Sequence, residues 1–218
     1  GGTEIAIDLL TRGLVARGHD VTLFASGDSQ TAARLVPCCR AALRLEKVAD
    51  PIPFYMSMLD RVNDLARKVR RSVLECSRAA NVGHIGSSLS VVEILATLWG
   101  GLMREAGTSR PDRDRFVLCK GHAALALYAA MRHTGRMTEE ALATYCADGT
   151  HLGVHPEACL EGIDVATGSL GQGLSVACGL AHGLRLRKSP ARVFALLSDA
   201  ECNEGQVWEA AQFAAHHG

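Results

Sequence analysis

Arg192-Val193-Phe194-Ala195-Leu196-Leu197-Ser198-Asp199-Ala200 is the stretch on which the fold turns. Its apolar residues run without alternation, the pattern of a strand covered on both faces in a parallel sheet. The run stops at Ser198-Asp199-Ala200, so the Asp199 carboxylate stands where the strand leaves the sheet. Asp114-Arg115-Phe116-Val117-Leu118-Cys119 is a second strand of this kind, ending in Lys120-Gly121-His122. Helix patterns cover Asn63 to Ala80, Val91 to Leu102, Ala123 to Met131, Thr138 toward Tyr145, Gly171 to Leu186 and Glu204 to Ala215. Ser90 is placed to cap the second of these, with Glu93 completing a capping box. Strands alternating with helices predict an α/β fold, a parallel sheet flanked by helices. In such sheets ligands gather at the strand ends.

Composition agrees with that expectation. The 218 residues hold 23 basic and 23 acidic side chains, a formal charge of zero. That balance argues against a nucleic-acid footprint and against a polybasic membrane anchor. Val165 to Leu184 lacks formal charges, but five glycines and several polar residues make it a close-packing helix rather than a lipid-facing one. The eight cysteines form no Cys-x-x-Cys unit, and most sit in apolar runs. They read as buried, reduced thiols of a cytoplasmic protein. With no leader and no initiating Met, the chain reads as cut from something longer.

Three loops at the expected sheet edge present a histidine: Gly83-His84, Gly121-His122 and Val154-His155-Pro156-Glu157. Histidine is the acid, base or hydrogen-bond donor suited to neutral pH. Thr167-Gly168-Ser169-Leu170-Gly171-Gln172-Gly173 sets three glycines before a helix. Bare N–H groups and the helix dipole there suit a diphosphate or an aromatic cofactor edge, and tight turning with close helix packing accounts for the glycines equally well. Asp199 suits Mg²⁺, which takes oxygen ligands from one or two carboxylates plus phosphate; capping the next turn is its plainer role. Glu201 and Glu204 read as helix-start carboxylates. His151-x-x-x-His155 has a zinc spacing, opposed by Gly153 and Pro156. Cys202 lies near Asp199 without a visible base, and Arg67-Lys68-Val69-Arg70-Arg71 reads as the solvated face of a helix.

Residues 1–61 form a separate block. A helix pattern from Gly1 ends near Gly18, a strand follows at Val21-Thr22-Leu23-Phe24-Ala25, and Asp50-Pro51-Ile52-Pro53 reads as a structure-breaking linker.

Residues 62–218 resemble the N-terminal, pyrophosphate-binding domain of transketolase, most closely its split form. The resemblance is carried by Gly83-His84-Ile85-Gly86, Arg113 to Leu118 with Lys120-Gly121-His122-Ala123, His155-Pro156-Glu157, Gly162-Ile163-Asp164 with Thr167 to Gly173, and Ser198 to Gly205, in order. It implies an incomplete thiamine diphosphate-binding fold, thiamine diphosphate and Mg²⁺ as cofactors, and transfer of a two-carbon ketol unit between sugar phosphates. By that resemblance His84, His122 and His155 assist proton transfers. His122, Gly168, Ser169, Leu170, Ala200 and Glu204 border the cofactor, with Glu204 near a subunit contact, and Asp199 binds the metal. The family's Gly-Asp-Gly is Ser198-Asp199-Ala200 here, a change tolerated if φ at Ala200 is negative. The Asn completing the metal site and the Glu activating the thiamine ring belong, in the family, to later portions. The implied partners are a C-terminal subunit or domain and further copies in a homo- or hetero-oligomer, and the chain alone is expected to be inactive.

Gly1-Gly2-Thr3-Glu4, Leu14 to Ser29 and Thr31 to Leu35 resemble instead the N-terminal domain of GT-B glycosyltransferases. Two other functions therefore stand beside the transferase: a non-catalytic fragment or scaffold, and a glycosyltransferase-derived piece.

Overall fold

The computed structural model describes residues 11–13, 15–18, 22–26, 30–39 and 52–217. The chain divides into two compact units, Gly1–Met58 with Ala214–Gly218, and Leu59–Phe213. In the first, residues 11–13 and 15–16 are helical, and Gly18, at φ +84°, ends that helix where the sequence places its end. Strand β1 (Thr22–Ser26) meets the expected strand and pairs in parallel with β2 (Arg34–Cys39), a strand the sequence did not reveal. The expectations for Gly1 to Glu4 and for Asp50 and Pro51 concern residues outside the described ones.

Helix α1 (Ile52–Ala80) begins eleven residues before its expected start. Pro53 does not break it, because the first turn of a helix has no use for the N–H that proline lacks. Ala66, Val69, Val73 and Ser77, spaced three and four apart, form its buried stripe. The charged residues of the basic run flank that stripe and are paired: Arg67 and Lys68 with Asp64, Arg71 with Glu75, Arg70 with Glu93.

Two short helices follow, α2 (Ile85–Leu89) and α3 (Val92–Thr97). The expected single helix from Val91 to Leu102 changes at Leu98 into a π turn, Leu98–Leu102, that contains Gly101 at φ +152°. The capping box is also corrected. Val91 occupies the N-cap position without a side-chain bond, and Glu93 turns to Arg70. Thr138, in contrast, caps as expected: its hydroxyl accepts from Ala141 N–H before α5 (Glu139–Ala143).

Strands β3 (Arg115–Leu118) and β4 (Val193–Leu196) pair in parallel, Phe116 beside Phe194. Their side chains alternate between two cores. Phe116, Leu118, Phe194 and Leu196 join the main core, with α1, α3 and the wholly buried run Ala124 to Met131 of α4 (Ala124–His133). Val117, Cys119, Val193, Ala195 and Leu197 face Ala177 of α6 (Gln172–Leu186). Helices thus cover both faces, as the unbroken apolar strands require. Helix α7 (Gly205–His217) closes the described chain. Among the described residues no helix is long and apolar enough to cross a membrane.

At the end of the sheet away from the site, Asp114 is fully buried and staples the two strands together. It accepts hydrogen bonds from Arg104 N and Nη2 and from Arg192 N, Nε and Nη2, at 2.6–3.0 Å. Burial pushes its carboxyl up, but these donors, Arg192 foremost, outweigh it and hold the carboxyl at about 2. Arg113 makes a bidentate pair with Asp164 at 2.6 and 3.0 Å, tying the irregular segment before α6 to the start of β3. The expected burial of the cysteines holds for Cys119, whereas Cys159 and Cys202 are exposed, and the six cysteines with described side chains are free thiols.

Candidate functional site

The carboxyl ends of β3 and β4 open on a cavity of about 330 Å³. Its walls come from four segments: Gly86, Ser87 and Ser90 around α2, Lys120 and His122 after β3, Leu170 before α6, and Ser198, Asp199 and Ala200 after β4. Four residues singled out in the sequence, His122, Leu170, Asp199 and Ala200, therefore share one cavity.

The other two histidines are placed against His122. Its ring centroid lies 4.9 Å from that of His84 and 4.7 Å from that of His155, both edge-on. Residues 84, 122 and 155 are far apart in the chain, so only the tertiary fold makes this row. His84 holds a left-handed backbone, φ 63° and ψ 21°, uncommon for a non-glycine residue and frequent at functional sites. Burial first, then the neighbouring His155 and His84, push the His122 imidazole below its ordinary value. It is neutral at neutral pH and able to exchange a proton. Nε2 of His155 is buried and has no hydrogen-bond partner among the described residues. The carbonyl of His155 accepts from the hydroxyl of fully buried Tyr128 at 3.0 Å, which fixes this loop to α4.

The glycine loop packs on the same framework. A Cβ on Gly121 would lie 2.6 Å from the Thr167 carbonyl, one on Gly173 would lie 2.6 Å from Cys119 Cα, and one on Gly168 would lie 2.9 Å from the His155 ring. Thr167 Oγ1 donates to the Leu118 carbonyl at 2.6 Å. Close packing thus explains these glycines, and it also brings Leu170 to the cavity. Ser169 is exposed beside it. At the α6 N-terminus, which the sequence reads as suited to a diphosphate or an aromatic cofactor edge or else to tight turning and close packing, Glu201 Oε1 accepts from Gly171 N–H at 2.9 Å.

Asp199 is exposed and makes no capping bond with the turn Ala200–Asn203, which corrects the capping role and leaves its carboxylate to the cavity. Ala200 is not among the residues with positive φ, the condition under which alanine replaces glycine there. Glu204 lies outside the cavity, its Cβ 2.8 Å from where a Cβ on Gly171 would stand. His151 is exposed, and among the described residues no group of three or more His, Cys, Asp or Glu is placed to hold a metal.

Sequence reasoning missed five side chains here. Ser198 stands in a quoted motif without a role, Ser87 stands just after one, and the capping pattern claims Ser90. Lys120 Nζ instead donates to Ser90 Oγ at 2.9 Å. Burial pushes the Lys120 ammonium below its ordinary value, while Asp199 and Glu201 pull it back up. The fifth is Glu201, fully buried. A basic residue beside a strand-end histidine was the available signal for Lys120; burial of Glu201 had none.

A family described as "Transketolase, thiamine diphosphate binding domain" matches residues 62–218. The chain is 43% identical over 174 residues to transketolase-like protein 2 of Bos taurus, covering 78% of this chain and 28% of that one. It is 43% identical over 152 residues to the 6-deoxy-6-sulfo-D-fructose transketolase subunit SqwG of Clostridium sp., covering 68% and 55%. The crystal structure of transketolase from Campylobacter jejuni superposes with a TM-score of 0.67 at 27% identity, covering 72% of this chain and 26% of that one. The chain therefore spans between about a quarter and about half of these proteins. These matches do not bear out the glycosyltransferase resemblance of residues 1–61.

Proposed function

The chain belongs to the transketolase thiamine diphosphate-binding domain family, and from that premise we propose that it works as the N-terminal part of a thiamine diphosphate-dependent transketolase. The observation that carries this reading is the row His84–His122–His155, which meets the cavity of Lys120 and Asp199 at the strand ends. The partner is a C-terminal subunit or domain, the assembly a homo- or hetero-oligomer, and the substrates are sugar phosphates exchanging a two-carbon ketol unit. The setting is cytoplasmic, in accord with the free thiols.

The residues present fit the cofactor. The cavity volume lies in the range of small-molecule sites. Asp199 offers the oxygen ligand that Mg²⁺ needs beside a diphosphate, and Lys120, Ser87 and Ser90 offer a cation and hydroxyls to phosphate oxygens. Leu170 offers an apolar wall. When bound, thiamine diphosphate supplies the electron sink for breaking the carbon–carbon bond beside a ketose carbonyl. The histidines do the rest. Neutral His122 takes or returns a proton, His155 Nε2 is free to bond a hydroxyl, and His84 and His155 hold the His122 ring between them. Gly168 stands against the His155 ring and shields it from water on that side.

Thermal unfolding with thiamine diphosphate and Mg²⁺ tests the proposal. A ligand at 100 times its Kd stabilises the folded state by about 2.7 kcal/mol, so the melting temperature rises by several degrees. Asp199→Asn is expected to lose the Mg²⁺-dependent part of that rise. No rise at millimolar ligand would remove the cofactor from this chain, and an unchanged Mg²⁺ dependence would remove Asp199 from the metal site.

A further inference from the structure

Glu201 is fully buried, and both of its carboxylate oxygens go to backbone. Oε1 accepts from Gly171 N–H at 2.9 Å, and Oε2 accepts from Ser198 N–H at 3.2 Å. Ser198 Oγ in turn accepts from Glu201 N–H at 3.3 Å. Gly171 ends the glycine loop and opens α6; Ser198 immediately precedes Asp199. Burying a carboxylate is costly unless it is hydrogen-bonded, so a fold that places one here holds both donors firmly in return. The two loops it joins form separate walls of the cavity, Leu170 on one side and Asp199 with Ala200 on the other.

We infer that Glu201 is a positioning residue that locks these two walls at one spacing, so that the groove for thiamine diphosphate and the carboxylate for its metal are set together. The inference rests on the cofactor reading above. It assigns to a buried acid outside the cavity lining the task of shaping the cavity. It also gives one N–H of the α6 N-terminus, that of Gly171, a protein partner.

Glutamine keeps one carbonyl oxygen and turns an NH₂ group toward the other N–H, so Glu201→Gln holds one loop and releases the other. Alanine releases both. Calorimetric titration of wild type and variants with thiamine diphosphate, across a series of Mg²⁺ concentrations, is the test. Affinity is expected to fall on the order of tenfold for Glu201→Gln and on the order of a hundredfold for Glu201→Ala. The Mg²⁺ needed for half-saturation should rise in the same order. Variants that melt earlier but bind with wild-type affinity and wild-type Mg²⁺ dependence would overturn the inference, since the residue would then be structural only.

Hydrogen exchange of the wild-type chain provides the second measurement, which needs no variant and no ligand. The Gly171 and Ser198 amides should be protected alike; fast exchange at either one in the folded chain overturns the clamp. Wild type that binds no cofactor while both amides are protected counts against the cofactor reading and leaves the clamp standing.

Discussion

Replacing Asp114 by Asn removes the charge that ties β3 to β4 beneath the candidate site. The wild-type carboxylate collects five N–H donors from Arg104 and Arg192 while fully buried. Its carboxyl sits at about 2, against 3.8 for an unperturbed aspartate. At about 1.4 kcal/mol for each tenfold change in proton affinity, that depression contributes about 2 kcal/mol of folding stability. Because the folded value is the lower one, the contribution is present in full above pH 4. It is lost as the pH falls toward and through 2. Asn accepts through one oxygen and directs an amide at the guanidinium groups, so its cost at pH 7 is about 2–4 kcal/mol. Urea unfolding followed by the fluorescence of Trp99, which is buried against Phe116, measures both chains from pH 7 down to pH 2. The stability gap between wild type and Asp114→Asn should be constant to about pH 4 and then shrink by about 2 kcal/mol toward pH 2. A gap that stays constant to pH 2 would refute the reasoning, because the wild-type carboxyl would then not titrate differently in the folded state.

Other perturbations reach the site itself. Tyr128→Phe removes the hydroxyl that holds the His155 carbonyl, and is expected to lower stability by about 1 kcal/mol and to weaken cofactor binding measurably by calorimetry. Gly173→Ala places a Cβ 2.6 Å from Cys119 Cα, and should lower stability by about 1–3 kcal/mol through overpacking, read as a lower urea midpoint. His122 should titrate below 6.5 by NMR, and His84→Ala should move that midpoint upward by removing one of the neighbours that hold it down. In an assay reconstituted with a C-terminal chain, His122→Ala should reduce the rate by about a hundredfold or more; full activity would make that histidine structural.

Much of the fold was legible because its signals are local. The unbroken apolar runs ending at Leu118 and Leu197 announced buried parallel strands, and the structure pairs them with helices on both faces. The helix at Ala124 and the Thr138 cap were equally plain. Two of the misreadings share one cause, in that a residue's local role yielded to a distant partner. Ser90, a cap by pattern, accepts from Lys120 thirty residues away, and Glu93 pairs with Arg70 across two helices. Pro53, a breaker by pattern, begins a helix because its position in the first turn makes its missing N–H harmless.

The sequence by itself determined which chemistry is available: three loop histidines, a glycine loop and a strand-end aspartate, in the order that marks the family. Only the tertiary structure decided which of these meet. It set His84 and His155 edge-on to His122, each within 5 Å of it, put Lys120 into the Asp199 cavity, and turned Glu201 inward to hold two backbone loops at once. The physical reason is that hydrophobic periodicity reports only which face of an element is buried. Which polar atoms then come within hydrogen-bond reach is set by how the helices and strands pack, and no pattern along the chain records that.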